Sequence, residues 1–295
     1  MIETVIIILE QALLHMPLII GAYISISLLK VPDLSIESAY VFGAIIGAKV
    51  LAYSQALPTG ILLPLVALAS LGGGMCVGLT SSLLTQKAGL PHLLSSILTF
   101  GIFHGIIQFI AGAYQSLSSY PNPLTHFANT QQHPELGVLM LIALIVISLA
   151  YLFFKTELGY ACAVYGVNPQ FFKHYNISTA YIFIAGILLS NGLAGLSGYL
   201  FAQSNNFIEL NMGIGKALLC ITALILANVV GRQKPLSVLK PLLGIFTYFT
   251  IQQLLLKVGF NLKYFTALQS LVVLVFLLYS YRTNDAKKSI DHLGV

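Results

Sequence analysis

The sequence predicts an all-α polytopic membrane protein. Of its 295 residues, 57% are hydrophobic and 8% are charged, whereas soluble domains carry about 25% charged residues. The mean hydropathy is +0.89. A membrane-spanning helix needs about 20 predominantly apolar residues, and about nine stretches (range eight to ten) meet that requirement. The predicted spans are residues 5–28, 37–53, 60–84, 92–114, 136–154, 180–202, 215–231, 237–256 and 264–281.

The distribution of Lys and Arg predicts how these spans are oriented. Ten of the fourteen basic residues fall in loops on one side, which the positive-inside rule assigns to the cytoplasm. They are Lys30, Lys87, Lys155, Lys173, Arg232, Lys234, Lys240, Arg282, Lys287 and Lys288. Segments 115–135 and 204–213 lack Lys and Arg, so we expect them, and the N-terminus, to be external. The loop with Lys257 and Lys263 is an exception, because the alternation places it outside.

The formal net charge of +5 is explained by these loops, so the sequence predicts a lipid bilayer and no nucleic acid as partners. Cys76, Cys162 and Cys220 are odd in number, and their spacing indicates neither a disulfide framework nor a metal site. The stretch Gly213-Ile-Gly215-Lys216 ends like a phosphate-binding loop but lacks the first Gly and the final Ser or Thr. We therefore expect no metal, no cofactor and no ATP hydrolysis by this chain itself.

The segment before the second span carries a capping pattern. Ser35 is a candidate N-cap, and Glu37 falls in the first helical turn, where a negative charge interacts favourably with the helix dipole. The alternative is that Asp33-Leu-Ser35-Ile-Glu37 contacts a substrate or partner. The second span is short and contains Lys49, so incomplete crossing of the bilayer is one interpretation of it.

Two short matches suggest an internal repeat. Residues 38–42 (SAYVF) recur as residues 179–183 (TAYIF), and Gln86-Lys87 recurs as Gln233-Lys234 at a later cytoplasmic turn. Since both halves have the same orientation, the pattern predicts parallel pseudo-repeats of the kind found in transporters. The predicted organisation is a single transmembrane domain, residues 1–295, with repeat halves of approximately 30–154 and 179–282 separated by the segment 156–178.

We name residues 156–178 the coupling segment. This segment interrupts the apolar sequence between two spans. Asn168 is positioned to cap a helix whose first residue is Pro169, and residues 170–175 form one or two amphipathic turns with the aromatic residues on one side. Docking onto a soluble partner is one interpretation of such a helix, and lying on the lipid headgroups is the other.

Polar residues within the spans are the candidates for a translocation pathway, since intramembrane polar groups usually face a bundle interior or a water-filled cavity. His104 lies in the fourth span, Asn191 in the middle of the sixth, and Gln203 near its external end. For each of them, a helix–helix hydrogen bond is the simpler interpretation. Apart from Glu10, we find no carboxylate inside a span.

Five segments together resemble the permeases of branched-chain-amino-acid-type ABC importers, with the nearest match in the tryptophan/tyrosine-type subgroup. The segments are residues 31–44, 87–97, 156–159 with 166–169, 193–198 with 202–203, and 211–215, in the family's order. The similarity covers residues 30–282. Arg-Ala usually precedes the Gly-x-Asn-Pro element in that family, whereas this chain has Ala163-Val164. If that Arg contacts the ATPase, this chain must make the contact otherwise, with Lys173 as the candidate.

The resemblance implies a non-catalytic permease subunit of a bacterial inner-membrane importer for a small polar solute such as an amino acid. It also implies a second permease subunit (identical or similar), two cytoplasmic ATPase subunits that bind ATP, and an external substrate-binding protein. The implied coupling residues are Gly159, Gly166, Asn168, Pro169, Phe171, Phe172 and Lys173. The pathway candidates are Ser38, His104, Asn191 and Gln203.

Two other functional classes compete with this interpretation. A secondary transporter driven by an ion gradient would need an intramembrane carboxylate or another proton site, and His104 is the candidate for such a site. A structural membrane subunit without transport activity is the third possibility. Neighbouring genes that encode an ABC ATPase and a binding protein would decide between these classes.

Overall fold

The computed structural model describes residues 2–125, 134–175, 177–231, 237–261, 264–275 and 278. The helices are α1 Ile2–Ala22, α2 Ser35–Tyr53, α3 Thr59–Gln86, α4 His92–Ala111, α5 Pro134–Lys155, α6 Glu157–Val167, α7 Gln170–His174, α8 Thr179–Asn205, α9 Lys216–Val230, α10 Leu239–Lys257 and α11 Phe265–Val275. A π-helical turn, Tyr23–Leu28, continues α1. Two short strands are β1 Tyr114–Ser116 and β2 Phe207–Glu209.

The predicted all-α membrane architecture is confirmed. Within the described residues, seven helices are long and apolar enough to cross a membrane, and α9 and α11 are shorter apolar helices. Together they occupy the nine predicted stretches. The faces of α4 and α5 that point away from the bundle carry exposed apolar side chains, such as Phe109 at 92% and Leu144 at 63% exposure. Such faces suit lipid acyl chains.

Helix α8 is the centre of the packing, and we name its contact with α2 and α3 the α8 interface. Small residues allow the backbones to approach closely. A Cβ on Gly198 would overlap the carbonyl oxygen of Tyr40, and one on Gly43 would overlap Gly195. On α3, a Cβ on Gly74 would overlap the carbonyl oxygen of Asn191 in α8. The glycine spacing that the sequence shows therefore corresponds to real helix–helix contact.

Helix α2 begins beside the middle of α8 rather than at the end of the bundle. After the π-helical turn, residues 29–34 return into the bundle, with Lys30 at a φ of 56°. Ser35 then contacts Asn191, which lies about 18 Å along the roughly 40 Å of α8 at 1.5 Å per residue. From there α2 and α8 run in the same direction. This parallel course agrees with parallel halves, but the repeat boundaries stay a prediction, and Gln233-Lys234 lies outside the described residues.

The two segments predicted to be external meet at one end of the bundle. β1 pairs with β2 in antiparallel register, with Gln115 opposite Ile208. The Ser204 hydroxyl also donates a hydrogen bond of 2.6 Å to the Glu135 carboxylate. Lys30 and the coupling segment lie toward the other end, where a Cβ on Gly166 would overlap the carbonyl oxygen of Leu28. The basic residues at positions 232, 234, 263, 282, 287 and 288 are outside the described residues.

Candidate functional site

The coupling segment contains two helices where the sequence indicated one. Thr156 caps α6, because its hydroxyl oxygen accepts a hydrogen bond of 3.2 Å from the backbone N–H of Gly159. The same hydroxyl donates to the carbonyl oxygen of Phe153, at 2.6 Å. Gly159 packs so tightly on the end of α5 that a Cβ would overlap that carbonyl oxygen. These contacts fix the corner between α5 and α6.

One side of α6 packs against two spans, at the end of the π-helical turn that continues α1 and at α8. Gly166 packs on Leu28 at the end of the π-helical turn, and the sulfur of Cys162 lies 3.4 Å from the Cβ position of Gly186 on α8. Cys162 is buried, and this burial raises the pKa of its thiol to about 11. A force applied to α6 would therefore reach α1 and α8 directly.

The turn between α6 and α7 has the geometry expected from its sequence. The Asn168 side-chain oxygen accepts a hydrogen bond of 3.1 Å from the backbone N–H of Gln170. The Asn168 N–H donates to the carbonyl oxygen of Val164 at 2.8 Å, so one residue ends α6 and caps α7. Pro169 lies between them, where its missing N–H costs nothing. The predicted cap is present, and its role in coupling stays a prediction.

The two predicted aromatic anchors lie on different sides of α7. Phe171 is 46% exposed, whereas Phe172 is 5% exposed and belongs to the hydrophobic core. The expectation that the aromatic residues share one side holds for Phe171 and Tyr175, whose rings are 5.0 Å apart, but not for Phe172. Consecutive helical residues point about 100° apart. The side chain of Lys173 lies outside what the structure describes.

The outer side of the coupling segment is apolar and exposed. Tyr160, Val164 and Val167, spaced for one face of α6, are exposed by 54%, 38% and 73%. Phe171 of α7 and Tyr175, the residue that follows this helix, are also exposed and line a shallow concavity of about 540 Å³. We name these five residues the coupling surface. An exposed apolar patch on a helix whose opposite side is packed against the spans is typical of a protein-binding surface.

A buried polar cluster ties the start of α2 to the middle of α8. The Asp33 carboxylate accepts hydrogen bonds from the Ser35 N–H (2.9 Å) and hydroxyl (2.6 Å) and from the Asn191 amide (2.7 Å). His92, at the start of α4, is 3.7 Å from the same carboxylate. Asp33 is therefore the capping side chain, and the expectation that Ser35 is the N-cap was wrong, because Ser35 is the first helical residue.

Glu37 caps a neighbouring helix as well as lying in the first turn of its own. Its carboxylate accepts hydrogen bonds from the N–H groups of Gly215 (2.9 Å) and Ala217 (3.3 Å) at the start of α9. Asp33 and Glu37 therefore lie inside the bundle, and the expectation that Glu10 is the one carboxylate within the spans was wrong. These carboxylates lie inside because residues 29–34 fold back into the bundle. Hydrophobic periodicity in the sequence does not reveal such a return.

The four pathway candidates do not form one lining. Ser38 and Asn191 lie near each other, but the Ser38 hydroxyl donates to the Ser35 carbonyl oxygen at 3.0 Å, and Asn191 belongs to the Asp33 cluster. Gln203 is fully buried toward the other end of α8, and its side-chain amide has no hydrogen-bond partner among the described residues. His104 is half-buried on α4 beside the ring of Phe100. Their assignment to a pathway stays a prediction.

Sequence reasoning missed Lys216. In the sequence it is visible only as the end of an incomplete phosphate-loop pattern, whereas in the structure it lies inside the bundle at the first residue of α9, with its Nζ 2.8 Å from His15 Nε2. The sequence did offer one signal. Lys216 opens an apolar stretch that follows two glycines, and an ionisable residue at the edge of a span is a candidate functional residue by default.

A family comparison identifies the class of membrane protein to which the chain belongs. Residues 6–278 match the model of the family described as branched-chain amino acid transport system, permease component. The chain belongs to this family. The resemblance that the sequence indicated is therefore confirmed over almost the whole chain.

Two of three similar proteins carry permease names that agree with this family. A tyrosine transport system permease protein of Clostridioides difficile (strain R20291) is 34% identical over 220 residues, which cover 74% of this chain and 71% of that protein. An uncharacterised protein of Rickettsia prowazekii (strain Madrid E) is 30% identical over 94% of this chain and 97% of its own length. The autoinducer 2 import system permease protein LsrC of Photorhabdus luminescens is 22% identical over 98% of this chain and 85% of its own. No solved structure matches the chain.

The family membership settles the broad function. Permeases of this family are non-catalytic, multi-pass subunits of ABC importers in the bacterial inner membrane, and they carry small solutes. They work together with ATPase and substrate-binding subunits. This chain is accordingly an importer permease for a small solute.

Proposed function

We propose that this permease forms the translocation pathway for an amino acid and that each of two ATPase subunits docks on the coupling surface of one permease subunit. The docking proposal rests on the two sides of α6 and α7: one side packs against the spans, and the other side is exposed. Its inner side is fixed by Gly159, Gly166 and Phe172, and its outer side presents Phe171 and Tyr175 to solvent. The tyrosine permease of Clostridioides difficile supports an amino-acid substrate.

The contacts of α6 indicate how ATP-driven movement would reach the spans. A closing pair of ATPases would displace the coupling surface as a rigid unit, because α6 is clamped between the end of α5, Leu28 and α8. Helix α8 also holds the start of α2 through Asn191 and Asp33. Rigid-body rocking of packed elements is the usual form of such transitions, and the α8 interface would move with α8.

We also propose a second permease subunit, a copy of this chain, and an external binding protein that delivers the solute. Gly101 and Gly105 support the dimer, because they are exposed on α4 and nothing lies within 4 Å of either Cβ position. This small-xxx-small face has no partner within the described part of the protomer, and it suits close packing of another helix. ATP binds to the partner subunits, and this chain needs no cofactor of its own.

The experiment that tests the proposal is tyrosine uptake in proteoliposomes. The permease is reconstituted with its cognate ABC ATPase and binding protein, and radiolabelled tyrosine is supplied on the binding-protein side. We expect uptake that requires ATP on the ATPase side and is unaffected when ionophores dissipate proton and sodium gradients.

Uptake that follows the ion gradient without ATP would instead favour secondary transport, with the buried Asp33 as a possible coupling carboxylate. The hydrogen bonds that Asp33 accepts from Ser35 and Asn191 argue for a structural role. ATP-dependent uptake of another amino acid would correct the substrate assignment and leave the coupling proposal intact.

A further inference from the structure

Lys216 carries a positive charge into the interior of the bundle. Its ammonium nitrogen lies 2.8 Å from His15 Nε2, and it is 4.7 Å and 4.9 Å from the ring centroids of Phe201 and Tyr40. His15 lies about 20 Å along α1 at 1.5 Å per residue, so the charge is far from either end of that span. Charges at such depth are costly, and they are usually paired or face a cavity.

Among the described residues, no carboxylate forms an ion pair with the Lys216 ammonium group. His15 Nδ1 is 2.9 Å from the carbonyl oxygen of Gln11, so Nδ1 donates there and Nε2 accepts from the ammonium group. The imidazole is therefore neutral in this arrangement. Glu37, at the start of α2, directs its carboxylate to the N–H groups of Gly215 and Ala217. In the described part of the chain, no ion pair involves Lys216.

A cavity of about 300 Å³ adjoins this cation. We name it the Lys216 cavity; its wall includes Lys216, His15, Phe201, Tyr248, Phe249 and Phe265. Ile214, which is 58% exposed, also lines it and marks its mouth. The volume is at the lower end of the range for small-molecule sites, and such sites combine apolar and aromatic walls with a few polar groups that orient the ligand.

We propose that the Lys216 cavity binds a small aromatic carboxylate, with the carboxylate on the Lys216 ammonium group and the ring among the phenylalanine and tyrosine side chains. A bound carboxylate would supply the missing counter-charge through charge-assisted hydrogen bonds, which are roughly twice as strong as neutral ones. The aromatic wall favours a ring over an aliphatic chain. The inference does not depend on ATPase docking, because binding is measured without nucleotide.

The test uses the absence of tryptophan from the chain. In full-length Ile214→Trp, purified in detergent, the introduced indole is the chain's one tryptophan, and it reports on occupancy at the mouth of the cavity. Ile214 is exposed enough for the larger ring. Fluorescence titrations compare phenylacetate with phenylacetamide, which has the same shape but no charge. We expect saturable binding of phenylacetate that is roughly tenfold or more tighter than that of phenylacetamide, as one charged hydrogen bond requires.

Two further variants in the Ile214→Trp background assign the effect to the cation. Lys216→Met removes the charge, and we expect it to abolish the preference for phenylacetate. Lys155→Met removes an exposed lysine at the end of α5 and serves as the control, with the preference retained. If Lys216→Met does not fold, the relative affinities of Ile214→Trp for phenylacetate and phenylacetamide still test whether the cavity prefers a carboxylate.

Equal binding of the two ligands, or binding of neither, would overturn the proposal. So would a preference for phenylacetate that survives Lys216→Met. A titration with dihexanoyl phosphatidylglycerol tests for a lipid headgroup as the occupant. If that lipid alone changes the indole emission, the cation holds a lipid phosphate, and the proposed solute site is wrong.

Discussion

The α8 interface and the coupling segment both depend on glycine, but they use it for different purposes. In the α8 interface, Gly198 and Gly43 let two spans approach until their backbones touch, and both sides of the contact are buried. In the coupling segment, Gly159 and Gly166 hold one side of α6 against the spans, while Tyr160 and Val167 on the other side stay exposed. Close packing on all sides indicates a permanent contact, whereas close packing on one side leaves a surface for a partner.

Breaking the α8 interface should have the largest effect. Gly198→Leu would drive a side chain into the backbone of Tyr40, and neither backbone has room to shift. Overpacking of a well-packed core costs about 1–3 kcal/mol. We expect a larger cost here because the side chain meets backbone atoms, with loss of monodisperse protein in fluorescence-detected size-exclusion chromatography. Gly137→Leu on α5 is the control, because Gly137 is exposed and nothing lies within 4 Å of its Cβ position. Equal yields of the two variants would refute the packing described for α8.

Phe172→Ala should destabilise the protein although it lies in the coupling segment. Phe172 belongs to the core, and truncation of a buried phenylalanine costs about 3–5 kcal/mol. Phe171→Ala should cost much less because that ring is half exposed. The melting temperatures of the two variants, measured without partner subunits, test this difference. A similar decrease for both would mean that α7 has no distinct inner and outer side.

Asn191→Leu should weaken the protein at the junction of the α2 start and α8. The change leaves Asp33 without the hydrogen bond from the Asn191 amide, and an unsatisfied buried group costs about 1–3 kcal/mol, or more for a charged group. Ser190→Ala is the neighbouring control, because it removes only the hydroxyl contact with Ser25. If Asn191→Leu melts at the wild-type temperature while uptake is lost, Asn191 acts in the pathway rather than in packing.

The sequence predicts these regions unequally well. The apolar stretches locate the spans because their length and composition are local properties, and Asn168 is recognisable as a cap because its hydrogen bond reaches only to Gln170. The interior position of Asp33 and Glu37 depends on how far residues 29–34 return along α8. That distance is set by tertiary packing. The separation of Phe171 from Phe172 likewise depends on which side of α7 meets the core.

The smallest expected effect concerns the reactivity of the Cys162 thiol. It tests whether α6 packs against the spans as the structure shows. Burial raises the pKa of Cys162 to about 11 from an ordinary value near 9.0, and the thiolate is the reactive form. In a Cys76→Ser, Cys220→Ala background, labelling by N-ethylmaleimide should be slow at pH 7 and should accelerate about tenfold per pH unit up to pH 9. A rate at pH 7 equal to that of free cysteine would show that α6 leaves the spans.

The central claim is that the coupling surface binds the ATPase. The most direct measurement is recovery of the ATPase with affinity-tagged permease, at equal expression, for wild type and for Phe171→Ala/Tyr175→Ala. Large aromatic side chains often dominate interface energies, with about 2 kcal/mol or more each. Tyr53→Ala is the matched control, because Tyr53 is 90% exposed and lies at the end of α2, away from the coupling segment. We predict that the double variant keeps its melting temperature and loses most of the bound ATPase, whereas Tyr53→Ala retains it. Full ATPase recovery and unchanged tyrosine uptake in the double variant would contradict the account and favour a segment that lies on the lipid headgroups.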